Sequence, residues 1–134
     1  MIGLDTSALI KRYRKEVEST WVRELMSGDP DWYGSTLLAA ETAIVMARPP
    51  QSGEELGLAD ARISRDLEFF NMVPIDAECI TGAIQLGRAF GLRTLDAVHL
   101  AAFRIMPSEC RFVVFDARFA EASRAMGLTL LTPD

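Results

Sequence analysis

Apolar positions along this chain follow two alternating rhythms. Short runs rich in β-branched or aromatic residues, bounded by turn formers, read as strands at 1–4, 32–35, 72–75, 111–115 and 129–131. Between them, apolar positions recur at helical spacing near 8–15, 18–27, 37–47, 55–71, 78–90, 95–105 and 117–126. Stops stand at Gly28-Asp29-Pro30, at 48–53, and at Gly91, Pro107 and Gly127. Strands that alternate with helices predict an open, mostly parallel sheet covered by helices on both faces. No internal repeat, low-complexity tract or interdomain linker interrupts the pattern. The 48–53 stretch reads as a flexible clip between two helices, too short to separate domains. Residues 1–134 therefore read as a single domain with one core.

Composition narrows the class. Apolar residues make up 49% and charged residues 25%, the balance of a folded soluble chain rather than a disordered one. The longest charge-free stretches, such as 32–40 and 79–87, span nine residues, about half of what a membrane helix needs. Asp5 and Lys11 stand where an apolar leader would run, so no signal peptide is expected. Cys79 and Cys110 lack the spacing of a disulfide framework or a zinc site, and the expected location is the cytoplasm. With 14 Lys+Arg against 19 Asp+Glu the net charge is −5, which by itself argues against a nucleic-acid partner.

The candidate chemistry is carboxylate chemistry. The first strand runs straight into Asp5 and the fourth into Asp116; in a parallel sheet both emerge at the carboxyl edge, where open α/β sheets bind ligands. Each also reads as a helix N-cap, so capping and function stand side by side. Glu41 and Asp96 lie within helices apolar on nearly every side, where an unpaired carboxylate is costly. Arg48 or Arg93 offers one compensation. A hard divalent cation held by all four acids offers another, and oxygen ligands suit Mg²⁺ or Mn²⁺ better than zinc.

Taken in order, Asp5-Thr6-Ser7-Ala8-Leu9 after the first strand, Glu41 in a helix, the segment from Leu92 to Ala102 around Leu-Asp-Ala-Val-His-Leu-Ala-Ala, and Phe-Val-Val-Phe ending on Asp116 resemble the PIN-domain ribonucleases. Within them the match is best to the VapC-type toxins of prokaryotic toxin–antitoxin pairs. The resemblance implies a Rossmann-like α/β/α sandwich and Mg²⁺- or Mn²⁺-dependent endonucleolytic cleavage of RNA. It implies Asp5, Glu41, Asp96 and Asp116 as metal-binding catalytic acids, Ser7 as their polar support, a homodimer, and an antitoxin whose basic tail blocks the acidic pocket. Val114 departs from the family, which often carries Thr or Ser two residues before the fourth acid.

Other residues carry competing readings. Lys11, Arg12, Arg14 and Lys15 cluster beside Asp5 and serve either as a solvated helix end or as phosphate contacts for RNA. Arg93, three residues before Asp96, reads first as a structural ion pair and second as a substrate ligand. His99 reads as a packed, hydrogen-bonded histidine rather than a general base. Trp21, Trp32, Phe69 and Phe70 read as core, and Ser7 and Thr94 as possible caps. Two rivals remain in view: a non-catalytic module whose acidic pocket receives a basic peptide, and a phosphate-receiving regulator. The latter needs a late lysine, and no Lys follows Lys15. The four candidate acids also account for most of the net charge of −5, leaving a surface close to neutral with a local basic cluster.

Overall fold

The computed structural model describes residues 1–48 and 52–133. Strands β1 (Ile2–Leu4), β2 (Trp32–Ser35), β3 (Phe70–Val73), β4 (Arg111–Val113) and β5 (Thr129–Leu131) form one sheet in the order β3-β2-β1-β4-β5, with every neighbouring pair parallel. Among the described residues they are joined by α1 (Thr6–Tyr13), α2 (Ser19–Gly28), α3 (Leu37–Met46), α4 (Gly53–Leu67), α5 (Ala77–Phe90), α6 (Thr94–Phe103) and α7 (Ala117–Ala125). From β1 the chain moves outward through β2 to β3, then crosses by way of α5 and α6 to β4 on the other side of β1. Connections therefore leave β1 and β4 in opposite directions, and a crevice opens between their carboxyl ends.

Burial on both faces explains why the strand runs lack polar alternation. Successive residues of β4 point to opposite sides: Phe112 joins a core built with α5, α6 and α7, whereas Val113 joins Ile2 and Leu4 in a second core with α1 and α2. A smaller cluster of Ile10, Met46 and Ile63 ties α1, α3 and α4 together. Val114 is buried in the first of these cores, so the family's usual hydroxyl has an apolar replacement there.

The predicted elements are all present, with shifted ends. Helix α4 stops at Leu67, and β3 begins at Phe70 rather than at 72. Pairing with β2 sets Phe70 opposite Trp32, and its buried ring packs against the indole at 5.6 Å. That contact outweighs the helical pattern of the preceding segment. Phe69, by contrast, lies 64% exposed in the turn, contrary to its reading as core. The clip expected at 48–53 falls in part on residues 49–51, outside the described residues. Within its described end, Ser52 forms a reciprocal capping box with Glu55 that starts α4, so the helix begins inside the expected clip. No helix among the described residues is long and apolar enough to cross a membrane.

Gly3 sits at a crowded point of the sheet. A Cβ there would lie 2.4 Å from Cδ1 of Phe112, whose ring is stacked on Phe103 at 4.5 Å. Both rings are buried, so Gly3→Ala is expected to cost about 1–3 kcal/mol, the usual range for overpacking. Urea denaturation measures it; an unchanged midpoint would contradict the close approach.

Candidate active site

Asp5 is placed by two local causes. It ends the central strand, and its extended backbone lets the carboxylate cap α1, accepting from the Ala8 N–H at 3.0 Å. Ser7 donates its hydroxyl to both Asp5 oxygens at 3.0 Å. Ser7 thus supports the acid and is not itself the cap. Asp116 repeats the arrangement at α7, accepting from the Phe119 N–H at 2.9 Å. Both acids are therefore N-caps and residents of the sheet edge at once.

Glu41 projects from α3 into a network of buried polar groups. Its Oε1 accepts from the Thr6 hydroxyl at 2.7 Å and lies 2.6 Å from His99 Nε2. An accepting carboxylate puts the imidazole hydrogen on Nε2, and Nδ1 faces the Ser35 hydroxyl at 3.3 Å. His99 is 1% exposed, so it is a packed, hydrogen-bonded side chain, as its apolar surroundings predict. Asp96, in the first turn of α6, is tied to Arg93 through Nε at 3.0 Å and Nη2 at 2.9 Å. The same Nη2 lies 3.5 Å from Asp116. Arg93 occupies the N-cap position of α6 and Thr94 the first helical residue, so Thr94 is not the cap.

All four acids line one cleft of about 650 Å³ at the carboxyl edge of the sheet, together with Ser7 and His99. Its walls carry Arg14, Arg48 and Arg93. Within the basic cluster after Asp5 the roles divide. Arg14 reaches the cleft while donating to the Val45 carbonyl at 2.8 Å. Lys11 also lines it, but its ammonium is held by the Val17 carbonyl at 2.8 Å and by Glu16 and Glu18. Arg12 turns to the buried Asp66 at 2.8 Å and over the Trp32 ring, which makes it a brace between α1 and α4. Lys15 lies exposed beyond the end of α1. Arg12 and Lys15 are not among the residues lining the cleft.

Burial raises the Asp5 pKa to about 6; nearby Asp96 adds to the rise, and His99, the Ala8 N–H and Ser7 work against it. For Glu41, burial pushes upward, but the hydrogen bonds from His99 and Thr6 outweigh it and hold the pKa below the ordinary range. Asp96, and to a lesser extent Asp116, hold the Arg93 guanidinium still more firmly protonated than usual.

The donor set suits a hard divalent cation: carboxylate oxygens only, one of them desolvated and short of positive charge. Among the described residues, however, no three His, Cys, Asp or Glu side chains are already drawn together around a common point. The reason is visible in the partners. Arg93 holds Asp96 and Asp116, and Glu41 is turned toward Thr6 and His99. The chemistry of the donor set fits such an ion, and Arg93 supplies a positive charge to two of the four carboxylates.

Thr6 and Ser35 are the parts of this site that sequence reasoning missed. Thr6 follows Asp5 directly in the first turn of α1, a placement that could have drawn attention to its hydroxyl. Ser35 contacts His99 across 64 residues of sequence, and no local pattern announces that.

The raised Asp5 pKa makes a stability prediction. The folded state favours protonated Asp5, so its contribution is fully present below an unfolded pKa near 3.8 and is lost as pH rises through about 6. Asp5→Asn keeps a capping oxygen without the buried charge. In EDTA at pH 7.5 it is expected to be more stable than the wild type by about 1–3 kcal/mol, with the gain gone by about pH 4. Urea denaturation at both pH values tests this; a variant less stable at pH 7.5 contradicts the desolvation account.

The PIN-domain family model matches residues 2–125. Ribonuclease VapC47 of Mycobacterium tuberculosis is 33% identical over 138 aligned positions, covering 99% of this chain and 97% of that protein. Among solved structures, Mycobacterium tuberculosis VapC20, described as a sarcin–ricin-loop-cleaving toxin, superposes with a TM-score of 0.75 at 20% identity, covering 99% and 100% of the two chains. A toxin–antitoxin complex from Klebsiella pneumoniae gives 0.71 at 18% identity, covering 100% and 98%. These two structures bear on the fold, and the family model and the curated relative bear on descent. The chain belongs to the PIN-domain family and, within it, to the VapC ribonucleases.

Proposed function

We propose that this protein is a divalent-metal-dependent endoribonuclease and the toxin half of a toxin–antitoxin pair. The observation that carries the reading is the convergence of Asp5, Glu41, Asp96 and Asp116 on one cleft at the carboxyl edge of a parallel sheet. Bound there, Mg²⁺ or Mn²⁺ supplies Lewis-acid polarisation of a phosphoryl oxygen and a lowered pKa for the attacking water.

The chain's own residues do the rest. Asp5 offers an oxygen whose position is fixed from both sides, by the Ala8 N–H and by Ser7. Glu41 stays ionised because His99 and Thr6 donate to it, and their hold limits the rotamers it can adopt. Asp96 and Asp116 come from different elements, α6 and the turn before α7, and close the cleft from the far side. Arg14 and Arg48, with the more tightly held Lys11, are the cations of the wall nearest α1 and α3 and are suited to backbone phosphates on either side of the scissile bond. Arg12 and Lys15 lie outside the lining of that cleft.

Family membership supports a homodimer, a cytoplasmic location and a cognate antitoxin. The grip of Arg93 on two of the acids supports the partner chemistry in particular, since a guanidinium from a basic tail would meet the same carboxylates.

Purified protein is expected to cleave RNA with Mg²⁺ or Mn²⁺ and to stop with EDTA. Asp96→Asn should lower the cleavage rate by ~100-fold or more, since loss of even a supporting contact at a metal site costs 10–100-fold. Undiminished cleavage by this variant, or by wild type in EDTA, would sink the assignment.

A further inference from the structure

Arg93 stands apart from the other cations of the cleft. Its side chain is 77% exposed, yet its guanidinium holds Asp96, whose side chain is only 14% exposed, and reaches Asp116 as well. It thereby joins two elements by charge alone. Arg12, the comparable cation on α1, spends its guanidinium on the buried Asp66 and is half-buried itself. An ion pair as exposed as that of Arg93 contributes little to stability, so releasing it costs little.

Its position is also where a hard cation would have to bind. A divalent ion approaches carboxylate oxygens to about 2.0–2.1 Å, far inside an N–H···O contact, and a guanidinium on the same oxygens repels it. Arginine cannot escape that conflict by losing its proton. It must move. Next to it a second hollow of about 250 Å³ leads off the acidic cleft, lined by Gly91, Leu92, Arg93, Asp96, Asp116 and Arg118. Arg118 is exposed there and spends one nitrogen on the Gly91 carbonyl at 3.0 Å. The hollow is thus lined by two guanidiniums, that of Arg118 and that of Arg93.

We propose that Arg93 is an exchangeable counter-ion, bridging Asp96 and Asp116 in the metal-free protein and released by the divalent cation to bind an RNA backbone phosphate in the hollow beside Arg118. The inference rests on the metal-dependent reading above and adds a coupling to it: metal occupancy switches on a phosphate contact, and by linkage bound RNA favours metal. A fixed structural brace, the plainer role for Arg93, makes the opposite prediction, because removing a brace would loosen Asp96 and weaken the metal site.

Calorimetric titration of Mn²⁺ into the full chain separates the two. Arg93→Gln is expected to bind Mn²⁺ between about threefold and tenfold more tightly than wild type, the effect of removing a like charge close to the site, reduced by its exposure. Arg93→Lys, which keeps the charge, should stay within about twofold of wild type. At saturating Mn²⁺, Arg93→Gln should raise KM for RNA with little change in kcat, and the salt dependence of RNA affinity should weaken by about one phosphate contact. In the wild-type protein, independently of any variant, Mg²⁺ should make the Arg93 Nε–H exchange with water faster. Unchanged or weaker Mn²⁺ binding by Arg93→Gln, or a Nε–H that stays protected with Mg²⁺ bound, overturns the exchange. Absence of Mn²⁺ binding by wild type overturns the metal-dependent reading itself.

Discussion

The repulsion and desolvation of carboxylates gathered at one sheet edge is the constraint around which the rest of this structure is arranged. Four acids in a cleft of this size would drive it apart or pick up protons if left alone. Each has been given partners of its own or a share in one. Asp5 has backbone and hydroxyl donors, Glu41 has His99 and Thr6, Asp116 caps α7, and Asp96 shares Arg93 with Asp116. For Asp5 the donors do not offset burial and its pKa is raised, whereas for Glu41 they do and its pKa is lowered. The unequal treatment leaves a site still short of positive charge at its most buried carboxylate, where an added cation gains most. Stability given up at a binding site in this way is a common trade.

Much of this was legible in the sequence because it rests on local rules. A strand run that ends on an acid, followed by helical periodicity, describes both Asp5 and Asp116, and each acid proved to be the cap those rules name. Asp96 and Arg93 are three residues apart, and their pairing follows from helix geometry. What stayed hidden depends on contacts across the chain. The reach of Arg93 to Asp116 and the hydrogen bonds joining Thr6, Glu41, His99 and Ser35 come from elements that meet only in the folded sheet. The basic cluster after Asp5 shows the same limit. Four cations close in sequence point different ways once α1 is packed, because Asp66 of α4 claims Arg12 and the carbonyl of Val17 claims Lys11.

Helix α3 shows how a segment can be read correctly in type and incompletely in role. Its sequence is apolar almost throughout, and the buried residues Leu38, Thr42 and Met46 mark the side that packs inward. Glu41 and the exposed Ile44 lie elsewhere on its circumference. The helix therefore presents one carboxylate to the cleft and an apolar residue to solvent, an arrangement that amphipathic periodicity alone does not describe.

The register of the central strands has a temporal side. Asp5 and Asp116 are separated by more than a hundred residues, and pairing of β1 with β4, Leu4 against Val113, is what brings their ends together. Such a long-range parallel pairing closes a large loop and belongs among the slower steps of folding. A growing chain that has completed β1, β2 and β3 already has Asp5 and Glu41, yet neither Asp96 nor Asp116 stands opposite them. The complete set of acids is thus a property of the assembled sheet, and it comes into being only after β4 has been made and paired with β1.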